Sequence, residues 1–260
     1  MAKGTKRKPN TAASFPHLRK PPITEAVIEI RGTLGVEWEE ELVISRLQVL
    51  QTDYPARQSI QGFQGHWQMT QGSEPKMETK ELGLRGVRLQ SVDGLNVAMF
   101  TADLFSMSRL NSYQTWETLV SETLRLWKLY RDIVQQNRIN RLGVRFINRV
   151  PLEGKRVEIQ SYFRGFQGAV PGHDPDRLGF LYQDLISTPA DNLRANIIKT
   201  VQPGSPADPR PALILDIDVF DDGGFASDEA LLKTKLDKIH YWKNWIFFNT
   251  VTKSLVEKLK

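Results

Sequence analysis

From position 23 the chain alternates, with Ala26, Ile28 and Ile30 on one side and Val27, Glu29 and Arg31 on the other. A period of two predicts a half-buried strand, and Pro21-Pro22 predicts an extended entry into it. The same alternation returns about half a chain later, in Arg141-Leu142-Gly143-Val144-Arg145-Phe146-Ile147-Asn148-Arg149-Val150. Between the two the period changes. Trp38, Leu42, Val43, Ile44, Leu47 and Leu50 form a broad apolar stripe that predicts a helix over 36–52. Glu37, Glu39, Glu40 and Glu41 complement the dipole of its first turns, and Tyr54-Pro55 ends it.

Residues 62–109 read as a series of antiparallel strands. Phe63, Trp67 and Met69 mark the first, Leu84, Val87 and Leu89 the second, the run from Leu95 to Phe100 the third, and Leu104 to Leu110 a short fourth. Asp93-Gly94 between apolar runs predicts a hairpin turn. Thr115 then caps a helix carrying Trp116, Leu119, Val120, Leu124, Trp127, Tyr130 and Val134 at helical spacing. The second half follows the same order more loosely. A short helical piece is expected over 157–163, a Gly- and Pro-rich loop over 165–177, and strands over 178–187, 192–201 and 212–220. Ser227-Asp228-Glu229 opens a long helix toward the C-terminus, with Leu232, Leu236, Ile239, Trp242 and Ile246 facing a core.

The chain therefore reads as an α+β protein of two similar halves, 21–139 and 140–260, each running strand, helix, antiparallel strands, helix. In the first half that order matches the TATA-binding-protein-like fold, in which two copies form a saddle-shaped sheet backed by helices. One α+β domain with a continuous sheet and no internal symmetry is the competing arrangement.

A length of 260 residues, 40% hydrophobic and 25% charged, suits a folded chain with a proper core. The net charge of +5 is unevenly spread. Residues 1–20 hold Lys3, Lys6, Arg7, Lys8, Arg19 and Lys20 and no acid, leaving 29 basic and 30 acidic residues in the rest. The body is neutral, which is poor equipment for gripping phosphates. The basic tail 1–20 is expected to be disordered, with a secondary role as an arm for nucleic acid or an acidic partner. Zero cysteines exclude disulfides and thiolate chemistry and fit a cytoplasmic setting. No apolar run is long enough to cross a bilayer, and the basic start lacks the apolar segment of a signal peptide.

Asp216-Ile217-Asp218 is the sharpest candidate for chemistry. Two carboxylates two residues apart on a strand share a face and suit a hard cation. Gly204-Ser205 upstream resembles the nucleotidyltransferase pattern, but Pro206, Pro209 and Pro211 prevent the helix that pattern places between its two elements. A metal-dependent transferase is therefore the third reading. The first two are recognition through surface contacts and nucleic-acid binding by the sheet and tail. Glu29 and Arg31 on the first strand, Arg145 and Arg149 on the central one, and Asp216 and Asp218 on the late one form a charged face, provided those strands are neighbours. Cross-strand pairing is the expected role of these charges, and a binding surface the next. His17, His66, His173 and His240 show no ligand spacing, and no serine sits in a nucleophile turn. No cofactor or metal is predicted. Trp245 and Phe248 on the last helix are the candidates for a protein–protein contact or self-association.

The opening Pro21-Pro22-Ile23-Thr24-Glu25-Ala26-Val27-Ile28-Glu29-Ile30-Arg31 resembles the start of a sporadically distributed prokaryotic family of about this length, whose function is unassigned. Arg141 to Arg149 is similar to that family's central motif, and Trp242-Lys243-Asn244 before Phe247-Phe248 and Thr250 to its closing one. The resemblance implies a bacterial or archaeal cytosolic protein, and the patchy distribution is one common among mobile or defence-related modules. It carries no catalytic residues. The expectation is a non-enzymatic binding or regulatory protein with a protein partner.

Overall fold

Pairing of β1 (Ile23–Gly32) with β6 (Arg138–Pro151) at the middle of one large sheet organises the computed structural model of the chain, which describes residues 15–33, 35–68, 76–152, 159–165, 179–188, 191–204, 206 and 208–260. Among the described residues there are ten strands and four α-helices, so the molecule is mixed α and β. Sheet order is β2 (Ala56–Gln68), β3 (Lys76–Gln90), β4 (Asn96–Thr101), β5 (Leu104–Leu110), β1, β6, β9 (Ala212–Asp221), β8 (Leu193–Gln202) and β7 (Leu181–Thr188). A two-residue β10 (Phe225–Ala226) also pairs with β6. Every neighbouring pair is antiparallel.

Alternation decides the two faces of this sheet. Ala26, Ile28 and Ile30 of β1, Leu142, Val144 and Phe146 of β6, and Leu215, Ile217 and Val219 of β9 are all buried. They join one core with Leu119, Leu126, Trp127 and Tyr130 of α2 (Trp116–Val134) and Leu232, Leu236 and Ile239 of α3 (Glu229–Thr250). The intervening residues, Val27, Glu29 and Arg31 on β1 among them, face away from the helices.

Local chemistry sets the element ends. The Thr115 hydroxyl accepts from the Thr118 amide at 3.1 Å to start α2, and Gln135 ends it in the left-handed region at φ +48°. In the hairpin between β3 and β4, Gly94 adopts φ +70°, and the Asp93 carboxylate accepts from the Ser91 hydroxyl at 2.6 Å and the Leu95 amide at 2.9 Å. A Cβ is disfavoured at that φ, so Gly94→Ala is expected to cost about 1 kcal/mol. The measurement is a lowered denaturant midpoint with an unchanged slope.

Three expectations change. The predicted helix over 36–52 shrinks to α1 (Glu40–Leu47) with a 3-10 turn, Gln48–Leu50. Trp38 is held outside it by its indole N–H, which donates to the Leu84 carbonyl at 3.0 Å, and Glu39 makes no side-chain cap. The long C-terminal helix breaks after Thr250. Val251 is extended and bridges to Phe163, and the Thr252 hydroxyl accepts from the Leu255 amide to begin α4 (Lys253–Leu259). Of the helical piece over 157–163, residues 157 and 158 lie outside the described residues, and the remainder supplies only a 3-10 turn, Ile159–Ser161. Most of the expected loop over 165–177, with residues 1–14 of the basic tail, Met69 and Ser205, also lies outside the described residues. From Phe15 to Lys20 the tail lies against the body through Phe15 and Leu18, with the other four residues exposed. The Phe15 ring stacks on Phe248 at 5.4 Å, and the Lys20 amide donates to the Leu259 carbonyl at 3.0 Å.

Candidate functional site

Six of the eight candidate residues lie on β1, β6 and β9, which are consecutive in the sheet. Register places Glu29 opposite Gly143, which is opposite Phe220. One step along, Val27, Arg145 and Asp218 are aligned, and one step further Ile147 stands opposite Asp216. All project from the face away from the helices.

Long guanidinium arms cross this register diagonally. Arg145 grips Asp216 with two nitrogens, Nε to Oδ1 at 2.9 Å and Nη2 to Oδ2 at 2.5 Å. Arg31 binds Glu29 in the same forked way, at 2.8 Å and 3.1 Å. Between these two pairs lies Arg141. One of its nitrogens donates to Glu29, the other to Asp218 Oδ2 at 2.7 Å, and its plane covers the Phe220 ring at 4.5 Å. Arg31, Glu29, Arg141 and Asp218 thus form one hydrogen-bonded chain across three strands, with the Arg145–Asp216 pair beside it.

The electrostatics are uneven within it. Burial disfavours ionised Glu29, but its hydrogen bond from Arg31 and the charge of Arg141 outweigh that and hold its carboxyl below the usual range. For Asp218 burial wins. With Glu29 adding to the effect, its carboxyl lies above the ordinary value despite Arg141 and Arg145. Asp216 strengthens the hold of Arg145 on its proton through their hydrogen bond.

Gly143 shapes the surface. A Cβ there would stand 2.7 Å from a guanidinium nitrogen of Arg141, so the missing side chain is what lets that arm lie across the sheet. The result is a concavity of about 470 Å³ walled by Arg31, Arg141, Arg145, Glu29 and Asp218.

The remaining candidates lie elsewhere. Arg149 is on the same face but at its end, where it donates to Asp208 at 3.1 Å and to the Arg210 carbonyl at 3.2 Å. Trp245 and Phe248 belong to the helical layer. Trp245 is 38% exposed and meets Trp242 edge to face, whereas Phe248 is partly buried beneath Phe15.

Two residues went unmarked in the sequence. Arg141 sits at the same two-residue phase as Arg145 and Arg149, so strand alternation alone could have placed it with them. Lys243 lies four residues after Ile239 and three before Ile246, on the buried stripe of α3, where Trp242 was expected. It belongs to a second cavity, against the opposite face of the sheet.

Among the described residues no helix is long and apolar enough to cross a membrane, and no three His, Cys, Asp or Glu side chains group as a metal site. The chain matches no protein-family model, and no curated sequence is significantly similar to it.

Proposed function

We propose that this chain is a non-enzymatic recognition protein of the prokaryotic cytosol that presents the charged centre of its sheet to a protein partner, within a mobile or defence-related module. The observation that carries this reading is the position of Arg141, which joins Glu29 to Asp218 while Arg145 holds Asp216. Carboxylates engaged in this way make a shaped, charge-balanced surface rather than a bare pair suited to a cation. Half-buried Val27, Ile147, Ile198 and Ile214 flank the charges on the same face, giving the mixture of apolar area and arginine common in protein interfaces. Nucleic acid is disfavoured because three arginines against three acids leave no surplus cation for phosphate.

The internal organisation belongs to the same proposal. β1 and β6 meet at the centre, each is followed by strands that begin at one edge and return inward to lie beside it, and a helix follows the last long strand of each half. That order supports a tandem of two related halves resembling the TATA-binding-protein-like saddle, with the open face as the contact surface. Co-expression with the products of adjacent genes tests the reading. The wild type should co-purify with one of them, and Ile147→Lys or Ile198→Lys should weaken that association at least tenfold with unchanged thermal unfolding. Association indifferent to both variants, or salt-sensitive capture of oligonucleotides in place of protein, contradicts it.

A further inference from the structure

On the helical side of the sheet, a cavity of about 460 Å³ lies between α3, the segment from Phe15 to Ile23 and the start of α2. Leu18, Ile23, Trp116, Phe247 and Phe248 give it largely apolar walls. Into this lining projects Lys243, only 7% exposed. Its Nζ rests 3.7 Å from the centroid of the Phe146 ring and donates to the Asn244 Oδ1 at 2.6 Å. Among the described residues no carboxylate makes an ion pair with it. An ammonium held out of water without a counter-ion is costly, and the face of a phenyl ring offsets only part of that cost.

The surroundings give that charge an amide oxygen and a ring face but, among the described residues, no ion pair. The other titratable groups lining the cavity are His17 and Tyr113 on the chain segments, Glu117 in the first turn of α2 and His240 on α3. His240 stacks on Trp116 at 4.1 Å, and its Nε2 lies 3.3 Å from the Asn244 amide nitrogen. Burial, with the nearby charge of Lys243, pushes its pKa down to about 3, so it stays neutral and adds no second cation. The N-terminal turn of α2 forms part of the same wall, and a helix start favours negative charge.

We propose that this cavity is a binding site for a small monocarboxylate with an apolar or aromatic body, its carboxylate paired with the Lys243 ammonium and its body lying against Trp116, Phe247 and Leu18. A single buried cation with apolar walls matches one negative charge on an apolar frame, whereas phosphate would call for several donors. The site is independent of the charged face, from which the sheet separates it.

Calorimetric titration of the full chain with benzoate, phenylacetate and hexanoate at pH 6.5 tests this, with 2-phenylethanol as the uncharged counterpart. At least one carboxylate should bind saturably, at least tenfold more tightly than the alcohol, and Lys243→Met should remove that advantage. A second readout needs no variant. Burial lowers the Lys243 pKa to about 7, so at pH 8 the free amine is mostly neutral. A bound carboxylate raises that pKa, and binding must then draw a proton from the buffer. The heat at pH 8 should depend on the buffer's ionisation enthalpy for the carboxylate and not for the alcohol. Failure of all three carboxylates to bind, equal binding by Lys243→Met, or binding without proton uptake overturns the proposal.

Discussion

Replacing Arg141 with methionine should lower stability by about 2–3 kcal/mol at pH 7, the largest loss expected from any single change on the charged face. The cause is what the side chain leaves behind. Glu29 and Asp218 lose the guanidinium they share and remain close to each other, each only about a fifth exposed. Removing one partner of a buried ion pair costs about 3–5 kcal/mol, and the residual hydration here places the loss toward the low side. Its pH dependence has a definite sign. Glu29 has its carboxyl lowered in the folded protein, so it contributes stability above the unfolded value of about 4.5 that is lost as pH falls. Asp218 has its carboxyl raised, so the folded state takes up its proton more readily and is helped as pH falls. Without Arg141 both carboxyls titrate higher than in the wild type, although Arg31 still holds Glu29, so acidification costs the variant less. The deficit of Arg141→Met should therefore shrink from pH 7 toward pH 4, which urea unfolding at the two values measures. A constant deficit would place the effect in lost packing on Phe220 instead.

Lys243→Met should act in the opposite direction and stabilise the chain by about 1–3 kcal/mol at pH 7, since it replaces a buried amine with an apolar side chain of similar length. In the folded protein the amine titrates near pH 7, against an ordinary value of 10.5. The unfolded chain thus binds more protons between those values, and stability of the wild type rises with pH across that window. The variant loses this rise, so its advantage should fall between pH 7 and about pH 10. Above that the buried phenols of Tyr113 and Tyr130, whose values burial raises, begin to reduce stability in both proteins alike. Thermal unfolding from pH 6 to 10 provides the measurement. An unchanged or lower midpoint for Lys243→Met at pH 7 would mean that the ammonium is satisfied by its surroundings.

Short-range pattern was the readable part of this molecule. The alternation of Ala26, Ile28 and Ile30, the Asp93-Gly94 turn, the Thr115 cap and the Asp228 cap, whose Oδ1 accepts from the Leu231 amide at 2.8 Å, are all decided within a few residues. The charged face needed more. That Glu29, Arg145, Asp216 and Asp218 share one surface follows from strand phase, but their meeting depends on β6 lying between β1 and β9, through pairings that reach from Ile23 to Asn148 and from Leu142 to Asp221. The bridging role of Arg141 depends on Gly143 leaving room for the arm, which no local pattern records. On α3 the apolar residues are so numerous that Trp242 and Lys243 compete for the inner stripe. Trp242 turns to donate its indole N–H to Asp191 at 2.9 Å, and the lysine goes inward. The break at Val251 is likewise tertiary, since it depends on Phe163 and Tyr162, which pair with Val251 and Thr252 from a distant segment.

Calorimetric titration of Mn²⁺ into the wild-type chain is the most direct test of whether the sheet's carboxylates are already spoken for. With Asp216 held by Arg145, and Glu29 and Asp218 by Arg141, no saturable heat should arise from them. Saturable binding that Asp216→Ala abolishes would show a cation displacing the guanidiniums, and would replace recognition with metal-dependent chemistry as the work of this face.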